Sequence, residues 1–144
     1  MLYLLDSNIV LYAKMDAMPE HQTVSRWLVK TMSDKGSTVA VCETSILSFL
    51  RIARNVKVFN PPLPFDEAVA FVTSFLKHRS VQISRTSPEH YIDVAEFMKK
   101  HDFGGNLAMD AHLAVLALGS GAVLATCDKD FKKVPYLKIF NPLI

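Results

Sequence analysis

Four acidic residues of this 144-residue sequence stand where a folded chain can bring carboxylates together. Asp6, Glu43 and Asp128 come at or just after the ends of short apolar runs, respectively LYLL, STVAVC and AVLAT. Asp110 lies inside the apolar segment LAMDAHLAVLALG, where burying an unpaired charge is costly. Ligands of an open parallel sheet bind beyond the carboxyl ends of its strands. The sequence therefore predicts that these four carboxylates converge on one site.

Carboxylates that lie close together repel one another, and the repulsion indicates what chemistry the site performs. Each pair about 4 Å apart costs roughly 4 kcal/mol at an effective dielectric constant of about 20. Protonation or a divalent cation relieves this cost, and a set of oxygen ligands favours Mg²⁺ or Mn²⁺ over zinc. Such a cation lowers the pKa of a bound water molecule and stabilises charge on an attacked phosphate. The predicted chemistry is therefore hydrolysis of phosphodiester bonds.

Polar side chains adjoin these acids in the sequence. Ser7 and Asn8 directly follow the first acid, and Thr126 lies two residues before the last. We interpret them as groups that fix a carboxylate or a water molecule. Asp130 is interpreted as either a helper of the acidic set or a turn residue. His112 lies two positions after the helical aspartate and so on another face of the helix. We predict that it packs or forms a hydrogen bond between helices rather than acting as a catalytic base.

Basic residues cluster near the ends of predicted helices and after the last acidic motif. The clusters nearest the acidic motifs contain Arg51, Arg54 and Lys57, and Lys129, Lys132 and Lys133. Each cluster is explained either by contacts with an RNA backbone or by the preference of helix C-termini for cations. The net charge of +2 does not decide between these explanations. The candidate RNA contacts are Arg51, Arg54 and Lys129.

Strand-like and helical segments alternate along the chain, and their order predicts how the acids are positioned. Short apolar runs predict strands at 2–5, 37–42, 81–84, 122–126 and 137–140. Periodicity and capping residues predict helices at 8–15, 20–34, 44–54, 66–78, 88–101 and 107–119. Asn106 is the predicted cap of the last helix. Regular alternation implies a single α/β domain over 1–144, with a mainly parallel five-stranded sheet between helices on both faces.

The composition argues against several other classes of protein. No segment has the roughly 18 consecutive apolar residues of a membrane helix, and MLYLLDSN lacks the basic start of a signal peptide. We therefore expect a cytoplasmic protein that does not bind a membrane. Cys42 and Cys127 belong to no CxxC or Cys/His pattern, so we predict buried free thiols rather than a zinc site or a disulfide. The helix at 107–119 is apolar on nearly every face, which predicts that it is buried.

Four motifs, in this order, resemble those of PIN-domain nucleases. They are LLDSNIVLYA, CETSILSFLRIA, GGNLAMDAHLAVLAL and ATCDKDF, the last followed by FNPLI as in VapC-type toxins. The resemblance spans the whole chain. It implies a three-layer α/β/α sandwich and a Mg²⁺- or Mn²⁺-dependent endoribonuclease, the toxin of a type II toxin–antitoxin pair. It also implies a VapB-like antitoxin that blocks the site, and a homodimer to which Trp27 or the apolar face of residues 20–32 contributes.

The same resemblance implies a role for each motif residue. The expected metal ligands are Asp6, Asp110 and Asp128. Glu43 is expected to hold a second metal or to orient the attacking water. Ser7 and Thr126 are expected to support the site, and serine at position 7 departs mildly from the threonine that is commoner there. Arg51 is expected to approach the RNA phosphate or to brace the acidic cluster.

Other hypotheses give the same sequence a different function. A phospho-acceptor signalling domain also has an acidic Mg²⁺ pocket on a doubly wound sheet. It requires an aspartate after the third strand, where this chain has Ser84 and Arg85, and it usually opens with paired acids, where this chain has only Asp6. Within the nucleases, the alternative is a housekeeping role in RNA processing or a DNA substrate. The remaining alternative is a catalytically silent module that binds RNA or a protein.

Overall fold

The computed structural model describes all residues 1–144 and contains a five-stranded sheet in which every pair of neighbouring strands is parallel. The strands are β1 (Leu2–Leu5), β2 (Thr38–Cys42), β3 (Val81–Ser84), β4 (Val123–Ala125) and β5 (Ile139–Phe140). Each lies within its predicted range. They are arranged in the order β3-β2-β1-β4-β5, with Leu5 opposite both Val41 and Ala125. The predicted parallel sheet is confirmed.

Six α-helices connect and cover these strands. They are α1 (Ser7–Lys14), α2 (His21–Ser33), α3 (Glu43–Ala53), α4 (Phe65–Lys77), α5 (Pro88–His101) and α6 (Ala108–Ser120). Every boundary lies within one residue of its predicted position. Two turns of 3₁₀ helix, Gly105–Leu107 and Lys129–Lys133, precede α6 and follow β4. None of the helices combines the length and apolar character that crossing a bilayer requires.

The entry into α6 differs from the prediction. Asn106 lies inside the first 3₁₀ turn, where Leu107 N donates to Gly104 O at 2.9 Å. The residue before α6 is Leu107, and no side chain caps the helix. The predicted cap by Asn106 was wrong, because a capping residue needs an extended backbone and position 106 is already part of a helical turn.

The sheet carries a core layer on each face, because successive residues of a buried strand point to opposite sides. Leu5 and Val41 belong to the layer built with α1, α2, α3 and α4. Leu4 and Ala40, their neighbours in sequence, belong to the layer built with α6 and with Phe131 of the second 3₁₀ turn. Helices on both faces of one sheet make the predicted three-layer α/β/α sandwich.

Helix α6 is less buried than its composition predicted. Its inner side, including Ala111 and Ala114, is fully buried, but Met109 is 50% exposed and Leu118 is 40% exposed. The helix packs mainly against α5 and β4, and its outer side meets solvent. The prediction of burial all round was therefore wrong on that side.

Trp27 packs inside its own chain. Its ring lies 5.3 Å from that of Tyr3 on β1 and 5.1 Å from that of Phe140 on β5, measured between centroids. These contacts fasten α2 to the central strand and to one edge of the sheet. The ring that was expected to contribute to a homodimer is thus half-buried in intramolecular contacts.

The strand order changes direction at β1. From β1 the chain moves outward to β2 and β3, and later returns to place β4 and β5 on the other side. The crevice beyond the carboxyl ends of β1 and β4 is therefore the switch point at which open α/β sheets bind ligands. Asp6 directly follows β1, and Asp128 lies three residues beyond the end of β4.

Phe49 provides a test of the core beneath α3. It is 0% exposed, whereas Leu47 of the same helix is 65% exposed. We expect Phe49→Ala to lower the free energy of unfolding by about 3–5 kcal/mol, because it removes apolar contacts and leaves a cavity. The control Leu47→Ala is expected to change it by about 0.5 kcal/mol or less. Urea denaturation followed by circular dichroism measures both, and equal losses would contradict this packing.

Candidate metal centre

Asp6 is the most constrained of the predicted acids. It is 8% exposed and caps α1, with Oδ1 accepting a hydrogen bond from Ser7 N at 2.7 Å. Oδ2 accepts hydrogen bonds from Thr126 Oγ1 at 2.7 Å and from Asn8 Nδ2 at 3.3 Å. The three polar residues that adjoin the acids in sequence therefore all contact this one carboxylate.

Two opposing effects act on the ionisation of Asp6. Burial raises the pKa of Asp6 above its ordinary value of 3.8, and the charge of Asp128 adds to the rise. The hydrogen bonds from Thr126 and Ser7 act in the opposite direction because they stabilise the ionised form. These donors therefore limit the cost of keeping a buried carboxylate charged.

Thr126 joins two of the acids. Its hydroxyl donates to Asp6 and accepts a hydrogen bond from Asp128 N at 3.0 Å. Asp128 Oδ1 in turn accepts from Asp130 N at 2.9 Å and so caps the 3₁₀ turn Lys129–Lys133. Thr126 is 1% exposed, so the loop after β4 is anchored in the core at this point.

Three carboxylates lie close enough to share a cation. Asp110, Asp128 and Asp130 each offer one oxygen atom, and these atoms lie within 4.8 Å of one another. Oxygen ligands on opposite sides of a cation, with bonds of about 2.0–2.6 Å, are about 4–5 Å apart. The group therefore fits a divalent cation, and its oxygen atoms suit a hard one such as Mg²⁺ or Mn²⁺.

Asp110 is the acid of this site whose ionisation is most strongly disfavoured by its surroundings. Partial burial, together with the charges of Asp128, Asp6 and Asp130, raises the pKa of Asp110 from 3.8 to about 6. Burial is the largest of these causes. All three neighbouring acids contribute to the rise, so the four carboxylates of this region lie within electrostatic range of one another.

The structure places the remaining predicted acids differently. Glu43 is the first residue of α3, its side chain is exposed, and it lies outside the group of three whose oxygens approach within 4.8 Å. Asp6 also lies outside that group and acts on it through charge. Asp130, interpreted from sequence as a helper or a turn residue, lies in the turn and also in the group.

Glu20 is an acid near the site that the sequence analysis did not single out. Its Oε2 atom is buried without a hydrogen-bond partner. Burial raises the pKa of Cys127 to about 11, and the charges of Asp6 and Glu20 add to the rise. Glu20 directly precedes a helix, where acids are common, so its position in the sequence gave no sign of this proximity.

Both cysteines are free, as predicted. Cys42 is fully buried, whereas Cys127 is only half-buried beside the acids. Because of its raised pKa, Cys127 is a neutral thiol at pH 7 and not an activated nucleophile.

The candidate RNA-binding residues differ in whether their charged groups already make contacts within the chain. Arg54 Nη1 donates to Leu63 O at 2.7 Å, and its guanidinium lies 3.6 Å from the centre of the Phe65 ring. These contacts brace the irregular segment between α3 and α4. Arg51 and Lys129 are exposed and form no ion pair within the chain.

His112 links two helices rather than facing the acids. Its Nδ1 atom lies 2.7 Å from Nε2 of His90, which joins α6 to α5. The predicted hydrogen bond between helices is confirmed.

Comparison with known proteins identifies the family of this chain. The PIN domain family model matches residues 3–137. The chain belongs to the PIN family. Ribonuclease VapC31 of Mycobacterium tuberculosis is 29% identical over 141 residues, covering 98% of this chain and 99% of that relative. Ribonuclease VapC37 of the same organism is 31% identical over 128 residues, covering 89% of this chain and 88% of that relative.

The PIN fold also has solved counterparts. One of them is a chain in the crystal structure of VapBC2 from Rickettsia felis bound to a promoter DNA fragment. It matches this chain with a TM-score of 0.71 and is 20% identical to it. The match covers 98% of both chains. It agrees with the parallel α/β/α sandwich described above.

The raised pKa of Asp110 predicts how the stability of the cation-free PIN domain depends on pH. Between about pH 4 and pH 6 the folded state holds a proton that the unfolded state has released, so the free energy of unfolding falls as the pH rises. Asp110→Asn removes this titration and should flatten the slope. Because solvent screens a half-buried group, we expect Asp110→Asn to raise the free energy of unfolding at pH 7 by roughly 1 kcal/mol. This corresponds to a melting temperature about 2–4 °C higher than that of wild type.

Thermal unfolding in EDTA from pH 4 to pH 8 measures this effect. Asp66→Asn, which changes an exposed acid in the first turn of α4, is the matched control and should keep the wild-type slope. Adding Mn²⁺ at pH 7 should stabilise wild type more than Asp110→Asn, because asparagine lacks the anionic ligand. Identical slopes in wild type and Asp110→Asn would show that this carboxylate is not under strain.

Proposed function

We propose that this PIN domain is an endoribonuclease that depends on Mg²⁺ or Mn²⁺. The observation that carries the proposal is the group of Asp110, Asp128 and Asp130, whose oxygens lie within 4.8 Å of one another. Asp6, at the switch point of the sheet, adds a fourth negative charge within range. Burial and then the charges of Asp128, Asp6 and Asp130 raise the pKa of Asp110, and a divalent cation held there would offset those charges.

Each side chain has its own task in this proposal. The residues that would hold the cation are Asp110, Asp128 and Asp130, with Asp6 beside them. When bound, Mg²⁺ or Mn²⁺ supplies positive charge to the phosphate under attack and makes water more acidic. Thr126 orients Asp6 and favours its ionised form through its 2.7 Å hydrogen bond. Glu43, exposed at the start of α3, would orient the attacking water or hold a second cation.

Similarity over nearly the full length to two proteins named ribonucleases supports RNA as the substrate. Lys129 directly follows Asp128 and is exposed, so it would contact the phosphate nearest the cleaved bond. Arg51 lies about 12 Å along α3 from Glu43, at 1.5 Å per residue, and would contact the backbone farther away. Arg54 would reach RNA only by exchanging its contact with Leu63 O.

We also propose that the protein is the toxin of a VapBC-type pair and forms a homodimer. The similarity to two VapC proteins, and to a chain of a VapBC2 structure, supports a VapB-like antitoxin as the partner. Exposed apolar side chains on α3 and α4 offer a surface of the kind that protein partners cover. Among them Leu47, Phe65 and Val69 are 65%, 69% and 65% exposed.

Cleavage of RNA tests the proposed activity directly. Purified protein is incubated with total cellular RNA in Mg²⁺, in Mn²⁺ and in EDTA. We expect discrete fragments with either cation and none in EDTA. Asp110→Asn is expected to reduce the rate by about 100-fold or more, because removing one stabilising group from a charged transition state costs about that much. Asp66→Asn, which removes an exposed acid outside the group, should cleave at the wild-type rate.

The same assay separates the alternatives. Cleavage of single-stranded DNA at the same rate as RNA would indicate a nuclease that does not select for RNA. Binding of RNA without cleavage in any cation, by folded and partner-free protein, would favour the catalytically silent module. Full activity of Asp110→Asn would show that the chemistry is located elsewhere in the chain.

Growth of a bacterial host tests the toxin proposal. Induced expression of the wild-type chain should arrest growth, and Asp110→Asn should not, because arrest would depend on the acidic site. Co-expression of the adjacent open reading frame should restore growth and yield a co-purifying complex. Growth arrest by both variants to the same extent would contradict a catalytic toxin.

A further inference from the structure

A series of hydrogen-bonded side chains runs behind the acidic site, starting at α5. His90 Nε2 lies 2.7 Å from His112 Nδ1, and His112 Nε2 lies 3.1 Å from Thr44 Oγ1. His90 is 9% exposed and His112 is 7% exposed, so the two rings meet out of contact with bulk water. This half of the series joins α5 and α6 to the first turn of α3.

The second half continues from α3 to the central strand. Thr44 Oγ1 lies 3.0 Å from Cys42 Sγ, and Cys42 Sγ lies 3.3 Å from Ser45 Oγ. Ser45 Oγ donates to Leu5 O at 3.2 Å. We call the series from His90 to Leu5 the relay of hydrogen bonds.

The last member of the relay determines the direction of its hydrogen atoms. A carbonyl oxygen only accepts, so Ser45 donates its single hydroxyl hydrogen to Leu5 O. Ser45 Oγ must then accept from the Cys42 thiol, and the Cys42 sulfur must accept from the Thr44 hydroxyl.

The same logic determines the state of both imidazoles. Thr44 Oγ1 has already used its hydrogen, so it accepts from His112 Nε2–H. In the neutral form of that ring, His112 Nδ1 carries no hydrogen and accepts from His90 Nε2–H.

The relay passes beside three of the acids. Its carbonyl end, Leu5, directly precedes Asp6, and His112 lies two residues after Asp110. The Glu43 side chain makes no hydrogen bond within the chain, yet the residues on either side of it, Cys42 and Thr44, both belong to the relay. The backbone that carries Glu43 is therefore fixed by the relay rather than by its own side chain.

We propose that the relay positions Glu43 relative to Asp6 and Asp110, with His112 and Thr44 as its positioning residues. The proposal rests on the proposed nuclease function, because it concerns the same acids. Residues that orient the ligands of a metal site through hydrogen bonds typically contribute about 10–100-fold to affinity or activity. The relay differs from such residues because its hydrogen bonds connect the helices and the strand that carry the acids, and none of them is made to a carboxylate.

A pair of isosteric variants tests the proposal. Thr44→Val removes the hydroxyl at the centre of the relay and leaves His112 Nε2–H without an acceptor. Thr31→Val is the matched control on α2: Thr31 is 8% exposed, and its hydroxyl donates to Trp27 O at 2.8 Å, outside the relay. We expect both variants to lower the melting temperature by similar amounts.

Kinetics and metal binding then separate positioning from stability. Only Thr44→Val should lower kcat for RNA cleavage, by about 10–100-fold, with KM for RNA little changed. Mn²⁺ affinity, measured by isothermal titration calorimetry without RNA, should fall in Thr44→Val and stay at the wild-type value in Thr31→Val. Thr44→Ser, which keeps the hydroxyl, should restore both quantities. Equal kcat and Mn²⁺ affinity in the two valine variants would overturn the proposal.

Nitrogen-15 NMR of the unsubstituted protein gives a second readout that requires no variant to fold. We expect Nε2 of His90 and Nε2 of His112 each to carry a hydrogen. A His112 Nε2 that carries no hydrogen would overturn the assigned direction and the proposal with it. If wild type binds Mn²⁺ but cleaves no RNA, the nuclease proposal fails, while the Mn²⁺ affinities still decide the role of the relay.

Discussion

Repulsion between carboxylates at the junction of β1 and β4 is the constraint to which the surrounding structure is fitted. Three of the acids stand at the start of a helix: Asp6 caps α1, Glu43 opens α3 and Asp110 lies in the first turn of α6. Helix N-termini carry partial positive charge, so three of them offset part of the repulsion before any cation binds. Thr126 adds a neutral hydrogen-bond donor where a positively charged side chain would compete with a cation. The strands that carry the acids end in fully buried residues, Leu5 and Ala125 among them, which hold the chain ends in place.

Local patterns in the sequence predicted the elements of this fold well, because each strand and helix is defined by its own residues. The run LYLL and the proline at position 88 need no distant partner to be recognised, and the helix that Pro88 begins starts at the predicted residue. The order of the strands in the sheet could not be predicted in this way, because many orders of five parallel strands are compatible with the same alternation of strands and helices. Asn106 and the outer side of α6 were predicted wrongly for a related reason. Whether a residue caps a helix or is covered depends on neighbours that the local pattern does not contain.

The candidate site divides in the same way. Asp6 and Asp128 were predictable because they follow strands whose carboxyl ends must meet. Asp110 was predictable because an acid stands out in an apolar helix. The approach of Asp130 depends on a 3₁₀ turn after β4, and the proximity of Glu20 depends on how α2 returns to the sheet, so neither distance follows from spacing. The stacking of Arg54 on Phe65 likewise depends on the irregular segment between two helices.

The place of β1 at the centre of the sheet has a consequence for the order in which a nascent chain completes its structure. Strand β1 can pair with β2 once residues 38–42 have been synthesised, but its other edge waits for β4, about 120 residues after β1. Until then Leu4 and Leu5 lack part of the apolar surface that buries them. Asp6 also lacks its hydrogen bond from Thr126, and the other three acids of the site are not yet near it. Phe140, which packs on Trp27, is synthesised later still. The acidic centre therefore cannot assemble until β4 and the turn after it have been synthesised, and its chemistry is unavailable before that point.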